Sequence, residues 1–327
     1  MTIACGVAVL GSVNTDLVIR NVRLPVAGET ILGGEFYRAL GGKGANQAVA
    51  AARAARVPVA FVAALGDDTL GREALEALRR ENLDLRCVQM IRGQASGVAL
   101  ILVDHAGQNL ISVASGANSR LCSQHFDQIS DAELGGMRVF LASLETPVAT
   151  VAHGLARARR AGLTTILNPA PANCEILAGE LLKTVDVLTP NESEIAILAG
   201  AEPLPFDGDT SRIERWALEL QERGCGAVVV TLGAEGCLVV ADTITRVAAH
   251  RVEAVDATAA GDAFSGALAA ALAEGLPLLD GVRFASAAAA LSVTRRGAQP
   301  SLPARSEIED FLSRPLPPPE FTPRNTA

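Results

Sequence analysis

The chain has 327 residues and carries 28 basic against 36 acidic side chains, a formal net charge of −8. Hydrophobic residues make up 49% and charged residues 20%, a globular composition that excludes general disorder. An acidic chain without a basic block excludes an electrostatic nucleic-acid interface, whose footprint is clustered Lys and Arg. Six scattered cysteines (Cys5, Cys87, Cys122, Cys174, Cys225 and Cys237) make no C-x-x-C pair, which predicts reduced thiols and neither a disulfide frame nor a zinc site. No apolar run reaches the ~18 residues that span a bilayer. The apolar start, Ile3 to Leu10, has no Lys or Arg before it and meets Asp16 soon after, so it reads as a first strand and not a signal peptide. Cytoplasm is the expected compartment.

Along the chain, Val7 to Leu10 predicts a buried strand, and the alternation around Leu17, Val18 and Ile19 a second. A polar, Gly-containing stretch runs to Gly44, followed by a helix pattern over Ala45 to Ala55, a strand over Val59 to Ala63 and an amphipathic helix over Thr69 to Arg80. Val98 to Val103 and Asn109 to Val113, joined by a turn through Gly107, predict a β-hairpin. Strands are then expected at Val139 to Ala142, Thr164 to Leu167, Val185 to Leu188 and Ala227 to Thr231, with helices starting near Pro147, Glu175, Asn191 and Ser211. That alternation implies βαβ units and a parallel sheet covered on both faces. Cys237 to Val240 and Thr243 to Val247 read as a late antiparallel hairpin, and Gly261 to Ala273 and Leu278 to Val293 as two Ala-rich helices. Residues 14–41 and 96–115 do not fit the alternation. They are expected to pair as a small β-sheet, a lid over an α/β domain made of 1–13, 42–95 and 116–313. Residues 314–327 read as a Pro-rich mobile tail.

Gly41-Gly42-Lys43-Gly44 is not a Walker loop, no G-x-G-x-x-G follows the first strand, and there is no G-x-S-x-G elbow. What the chain does carry is Gly-Gly-Lys-Gly-Ala-Asn-Gln-Ala over 41–48, where glycines admit a ligand to the backbone and Lys43 and Asn46 supply a cation and a donor–acceptor pair. Asn14 and Asp16 sit two apart on a strand-like segment and so share a face, and a carboxylate there suits adjacent hydroxyls. Asp256-Ala257-Thr258-Ala259-Ala260-Gly261-Asp262 runs into a helix, placing bare amides and a first-turn carboxylate together, a pattern for a phosphoryl group and a base. Asn191 and Glu194 form a capping box, compatible with Glu194 also holding a magnesium-bound water. Thr231 to Gly236 reads as a hairpin turn or a nucleotide-phosphate contact.

These segments, with "GDD" at 66–68, "SGAN" at 115–118, "NPAP" at 168–171 and "VTRRGAQPS" at 293–301, stand in the order of the PfkB family of sugar kinases, which the chain resembles over about residues 5 to 313. The 41–48 and 293–301 segments resemble its ribokinase branch more than adenosine kinases or fructokinases. The resemblance implies a ribokinase-like α/β fold and ATP-dependent phosphorylation of D-ribose at its 5-hydroxyl. It implies Asp262 as base, with the amides of Ala259, Ala260, Gly261 and Asp262 as anion hole. The sugar would be held by Asn14, Asp16, Gly42, Lys43, Asn46 and Glu145. The nucleotide would meet Asn191, the turn Thr231, Leu232, Gly233, Ala234, Glu235 and Gly236, together with Gly261 and Ser286. Glu194 would help place Mg2+, and Asp256 with groups at Thr258, Ser292, Arg295, Gly297 and Ser301 would hold K+. A homodimer through the lid strands is implied as well. Two positions depart from the family: Ala257, where Thr is usual, and Ser286, where a larger side chain often meets the adenine. The rival readings are a kinase for deoxyribose, another sugar or a nucleoside, and a non-catalytic sugar sensor, against which the retained Asp262 and Gly261 argue.

Overall fold

The computed structural model describes residues 6–203 and 208–314. The expected tail at 314–327 lies, but for Arg314, outside the described residues, as does Cys5. The strands are β1 (Gly6–Leu10), β2 (Asn14–Arg20), β3 (Glu35–Gly41), β4 (Val59–Gly66), β5 (Leu83–Ile91), β6 (Gly97–Val103), β7 (Asn109–Ala114), β8 (Met137–Ser143), β9 (Thr164–Asn168), β10 (Val187–Leu188), β11 (Ala227–Thr231), β12 (Cys237–Val240) and β13 (Ile244–Val247). The helices are α1 (Lys43–Ala54), α2 (Thr69–Leu78), α3 (Ser123–Phe126), α4 (Asp131–Leu134), α5 (Val148–Arg160), α6 (Glu192–Leu198), α7 (Ser211–Glu222), α8 (Ala260–Ala273), α9 (Leu278–Ser292) and α10 (Arg305–Ser313).

Nine strands form one sheet in the order β13-β12-β11-β10-β9-β8-β1-β4-β5. It is parallel from β11 to β5 and antiparallel only where β12 and β13 add to one edge. Parallel strands need covering on both faces, and the central ones are apolar throughout: every residue of β1 and β4 is buried. Two cores result. On one face α1, α8 and α9 pack Val7, Val9, Phe61 and Leu141. On the other, α5 and its neighbours cover Leu10, Phe126, Phe140 and Leu167. The alanines of α8 and α9 let these helices approach closely. Gly266 goes further, since a Cβ there would lie 2.5 Å from the Gln47 carbonyl of α1.

The remaining four strands form a separate sheet, β3-β2-β6-β7, built from the two segments that break the βα alternation. Several features differ from expectation: β10 keeps only Val187–Leu188 of the strand expected from Val185, and the short helices α3 and α4 were not expected. The helix expected from Glu175 is only a 3-10 turn, Cys174–Leu177, because Asn173 caps its start and Gly179 takes a φ of +64° two residues past its end. The edge strand β5 was not anticipated, since its half-buried pattern mixes Asp84 and Arg86 into the apolar run. Nor was α10, whose buried contact is Ile308.

Candidate active site

The carboxyl ends of β1, β8, β9 and β10 meet the N-termini of α1 and α8, where ligands of open α/β sheets bind. Just past β8, Glu145 organises the first half of the site. Its Oε2 accepts from Ser12 Oγ at 2.6 Å, from the Lys43 amide at 3.0 Å and from Asn14 Nδ2 at 3.4 Å. A helix leaves its first amides without partners, and here a carboxylate from another element fills one of them. Gly44 and Ala45 direct theirs to Ser12 Oγ and Ser12 O. This crossing is tight: a Cβ on Gly44 would lie 2.4 Å from Gly11 C and Ser12 N. Gly44→Ala is therefore expected to destabilise the protein by about 1–3 kcal/mol, because backbone cannot repack as a side chain does. A calorimetric unfolding curve checks it.

β2 carries Asn14 and Asp16 on one face. Asn14 is held by Asn118, whose Nδ2 donates to its Oδ1 at 2.8 Å. Gly41, opposite Asn14 in β3, makes room for Asp16: a Cβ there would sit 2.2 Å from its carboxylate. Burial, then the charges of Glu145 and Asp262, push the Asp16 carboxyl from 3.8 up to about 7.

In the second half, Asp262 lies in the first turn of α8, 6% exposed. Its oxygens accept from Asn46 Nδ2 at 2.9 Å and Gln47 Nε2 at 3.0 Å. Gln47 also donates to Asn168 Oδ1 at 2.9 Å, at the end of β9, so α1 orients the Asp262 carboxylate against the sheet. Burial raises the Asp262 carboxyl, against the pull of Lys43 and the two amides. Lys43 is lowered by burial, but Asp262, Glu145 and Glu194 outweigh this and raise it. Asn46 Oδ1 and Gln47 Oε1 are buried without a partner. Ala259 caps α8 in the left-handed region at φ +61°, which costs about 1–2 kcal/mol for a non-glycine residue. Ala260 donates its amide to Ala257 O at 3.2 Å, so it is already engaged, whereas Gly261 and Asp262 have their amides in the first turn, where a helix offers no carbonyl of its own.

Beside this lies a cavity of about 450 Å³. Thr231, Gly233, Ala234 and Gly236 line it from the β11–β12 turn, Ala260, Gly261 and Phe264 from α8, and Ser286 from α9. Two residues expected with them are placed otherwise: Leu232 is in the core at 2% exposure, and Glu235 pairs with Arg246 at 2.7 Å. Asn191 bridges to Thr231 and caps α6, its Oδ1 accepting from the Glu194 amide at 2.8 Å while Glu194 Oε2 accepts from the Asn191 amide at 2.9 Å. Burial raises the Glu194 carboxyl.

Asp256 ties the loop before α8 to the one after α9. Its oxygens accept from the Thr258 amide and hydroxyl, at 2.9 and 2.6 Å, and from the Gly297 amide at 2.9 Å. Burial would raise this carboxyl, but those donors and the charge of Arg20 hold it low. Ser292 and Ser301 donate to Ala289 O and Ala298 O, each at 2.8 Å. Arg295 turns its guanidinium to Glu307, leaving only its carbonyl for the loop.

Residues 6–305 match the model of the pfkB family carbohydrate kinases. The chain belongs to the PfkB family. A ribokinase of Haemophilus influenzae is 40% identical over 93% of this chain and 97% of its own. Among solved structures, a ribokinase of Thermotoga maritima is 37% identical with a TM-score of 0.81, covering 94% and 99% of the two chains. A ribokinase of Arabidopsis thaliana complexed with ribose and ATP is 29% identical with a TM-score of 0.83, covering 95% and 100%. In this PfkB chain Ser12, Gln47, Asn118 and Asn168 were not singled out from sequence. Their signal was present only as membership of the 11–16, 41–48, 115–118 and 168–171 motifs.

Proposed function

We propose that this chain transfers the terminal phosphoryl group of ATP to the 5-hydroxyl of D-ribose, giving D-ribose 5-phosphate. The observation that carries the reading is the unpartnered, buried Oδ1 of Asn46 beside Asp262. An orphaned acceptor next to a buried carboxylate costs free energy unless a hydroxyl-bearing ligand satisfies it. Asp16 accepts two adjacent hydroxyls, Asn14, the Gly42 backbone, Lys43 and Glu145 hold the rest of the ring, and the 5-hydroxyl meets Asp262. Asp262 takes its proton as the oxygen attacks phosphorus in line. The free amides at the start of α8 receive the charge of the transferring group, and positioning and charge stabilisation are most of what this reaction asks.

The nucleotide lies in the 450 Å³ cavity, with adenine towards Ser286 and phosphates towards Gly261. Glu194, with one oxygen left by its cap, would hold a water of the Mg2+ shell, and the ion would supply neutralisation of the phosphate charge. The Asp256 carboxylate, the Ser301 hydroxyl and the carbonyls at Thr258, Ser292, Arg295 and Gly297 are hard oxygen donors that fit K+. The small sheet acts as a lid, with residues 14–41 and 96–115 as its own unit. Ile19, Phe36, Leu100 and Leu110 share its outer face and are 38–61% exposed, which supports a homodimer through these strands. The compartment is then the cytoplasm, where ATP and reduced thiols coexist.

ADP release with ATP and Mg2+, offering D-ribose, 2-deoxyribose, fructose or adenosine with and without K+, tests this. Ribose-dependent turnover raised by K+ is expected. Turnover confined to fructose or adenosine would overturn the sugar assignment, and tight sugar binding with no ADP would favour a sensor.

A further inference from the structure

Arg53 lies in the last turn of α1 and takes part in none of the contacts above. Its guanidinium works in two directions. Nε and Nη2 fork onto Glu81 at 2.9 and 2.6 Å. Nη1 donates to two backbone carbonyls, Gln299 O and Leu302 O, both at 2.8 Å. Those carbonyls bracket the 3-10 turn Gln299–Ser301. The turn carries the fully buried Ser301 and follows Gly297, whose amide holds Asp256. One partly buried guanidinium thus fixes both ends of the turn that carries one candidate K+ donor, Ser301, and that follows another, Gly297, after one intervening residue. The first two turns of the same helix bear Lys43, Asn46 and Gln47, the last two of which hold Asp262.

An oxygen site for a cation works only if its dipoles keep their directions, and groups behind the donors set those directions. We infer that Arg53 is a positioning residue for the cation site: it registers the Gln299–Ser301 turn against α1, and so links cation occupancy to the helix that orients Asp262. The inference rests on the K+ reading above. Lysine cannot substitute, because a single ammonium cannot fork on Glu81 and bridge two carbonyls together.

The test uses the whole protein in KCl titrations with ionic strength held by choline chloride, reading both melting temperature and ribose-dependent ADP release. Cation binding to the folded state raises the melting temperature. In Arg53→Lys the K+ concentration for half effect should rise by about tenfold or more in both readouts, as loss of an outer-shell partner does. D-ribose affinity measured without K+ should stay unchanged. Glu81→Gln, which loosens the fork from the far side, should shift the midpoint in the same direction by less. An unshifted K+ midpoint in Arg53→Lys, even with a lower melting temperature, would make Arg53 structural only and overturn the inference. A wild-type protein indifferent to K+ in both readouts would overturn the cation reading and the inference with it.

Discussion

Asp262→Asn is expected to lower turnover by about 10²–10⁴-fold while leaving D-ribose affinity near that of the wild type. The asymmetry follows from geometry. Asp262 already accepts one hydrogen bond on each oxygen, from Asn46 and from Gln47. An asparagine in its place keeps shape and volume, and its own Oδ1 can still accept from Asn46 or Gln47. What disappears is the capacity to take a proton. The proposed sugar contacts at Asp16, Lys43 and Glu145 stand on other elements, so binding should persist. Single-turnover kinetics beside calorimetric ribose titration separate the two quantities. Wild-type turnover in this variant would remove Asp262 from the role of base, and a parallel loss of affinity would make it a binding group.

Much of the architecture is legible in the sequence because its periodicities are local. The apolar runs of β1, β4 and β11 read as fully buried strands, and the alternation with helices implies the parallel sheet. The misfit of 14–41 and 96–115 with that alternation points to a second sheet, and these segments form it. Elements whose identity depends on tertiary context were less visible. β5 is a sheet edge with one wet side, so charged residues interrupt it, and its assignment rests on pairing with β4. The segment from Glu175 has helical composition, yet Asn173 and Gly179 confine it to one turn.

The site divides in the same way. Asn14, Asp16, Lys43, Asn46 and Asp262 stand in short motifs, and the structure gathers them at one end of the sheet. Gln47 reaches Asn168 across 121 residues of chain and Asp262 across 215, and no local pattern announces such bonds. Leu232 and Glu235 show the converse. Membership of the Thr231–Gly236 turn places them near the cavity, but one side chain belongs to the core and the other to Arg246. A turn carries residues in several directions, and only packing against the rest of the fold decides which of them face the cavity.

Asp16→Ala should weaken D-ribose binding by on the order of a hundredfold or more, since two charge-assisted hydrogen bonds of ~1.5–3 kcal/mol each are lost. In the wild type the same group makes affinity depend on pH. Its carboxyl is held at about 7 by burial, Glu145 and Asp262, whereas a diol is best accepted by the ionised form. Binding then draws a proton off, so the ribose Kd should rise about tenfold from pH 8 to pH 6. The same rise should vanish in Asp16→Ala. Stability has the opposite sign. A carboxyl raised on folding contributes stability that is present below its unfolded value of 3.8 and lost as pH climbs through about 7. Asp16→Asn should therefore raise the melting temperature of the ligand-free protein above pH 7 while it weakens ribose binding. A residue whose replacement stabilises the fold and damages the site is held there for its chemistry, and melting curves with ribose titrations at pH 6 and pH 8 measure both halves of that claim. A flat Kd across that range in the wild type would mean that the sugar is bound by the neutral carboxyl, and the diol clamp would fall.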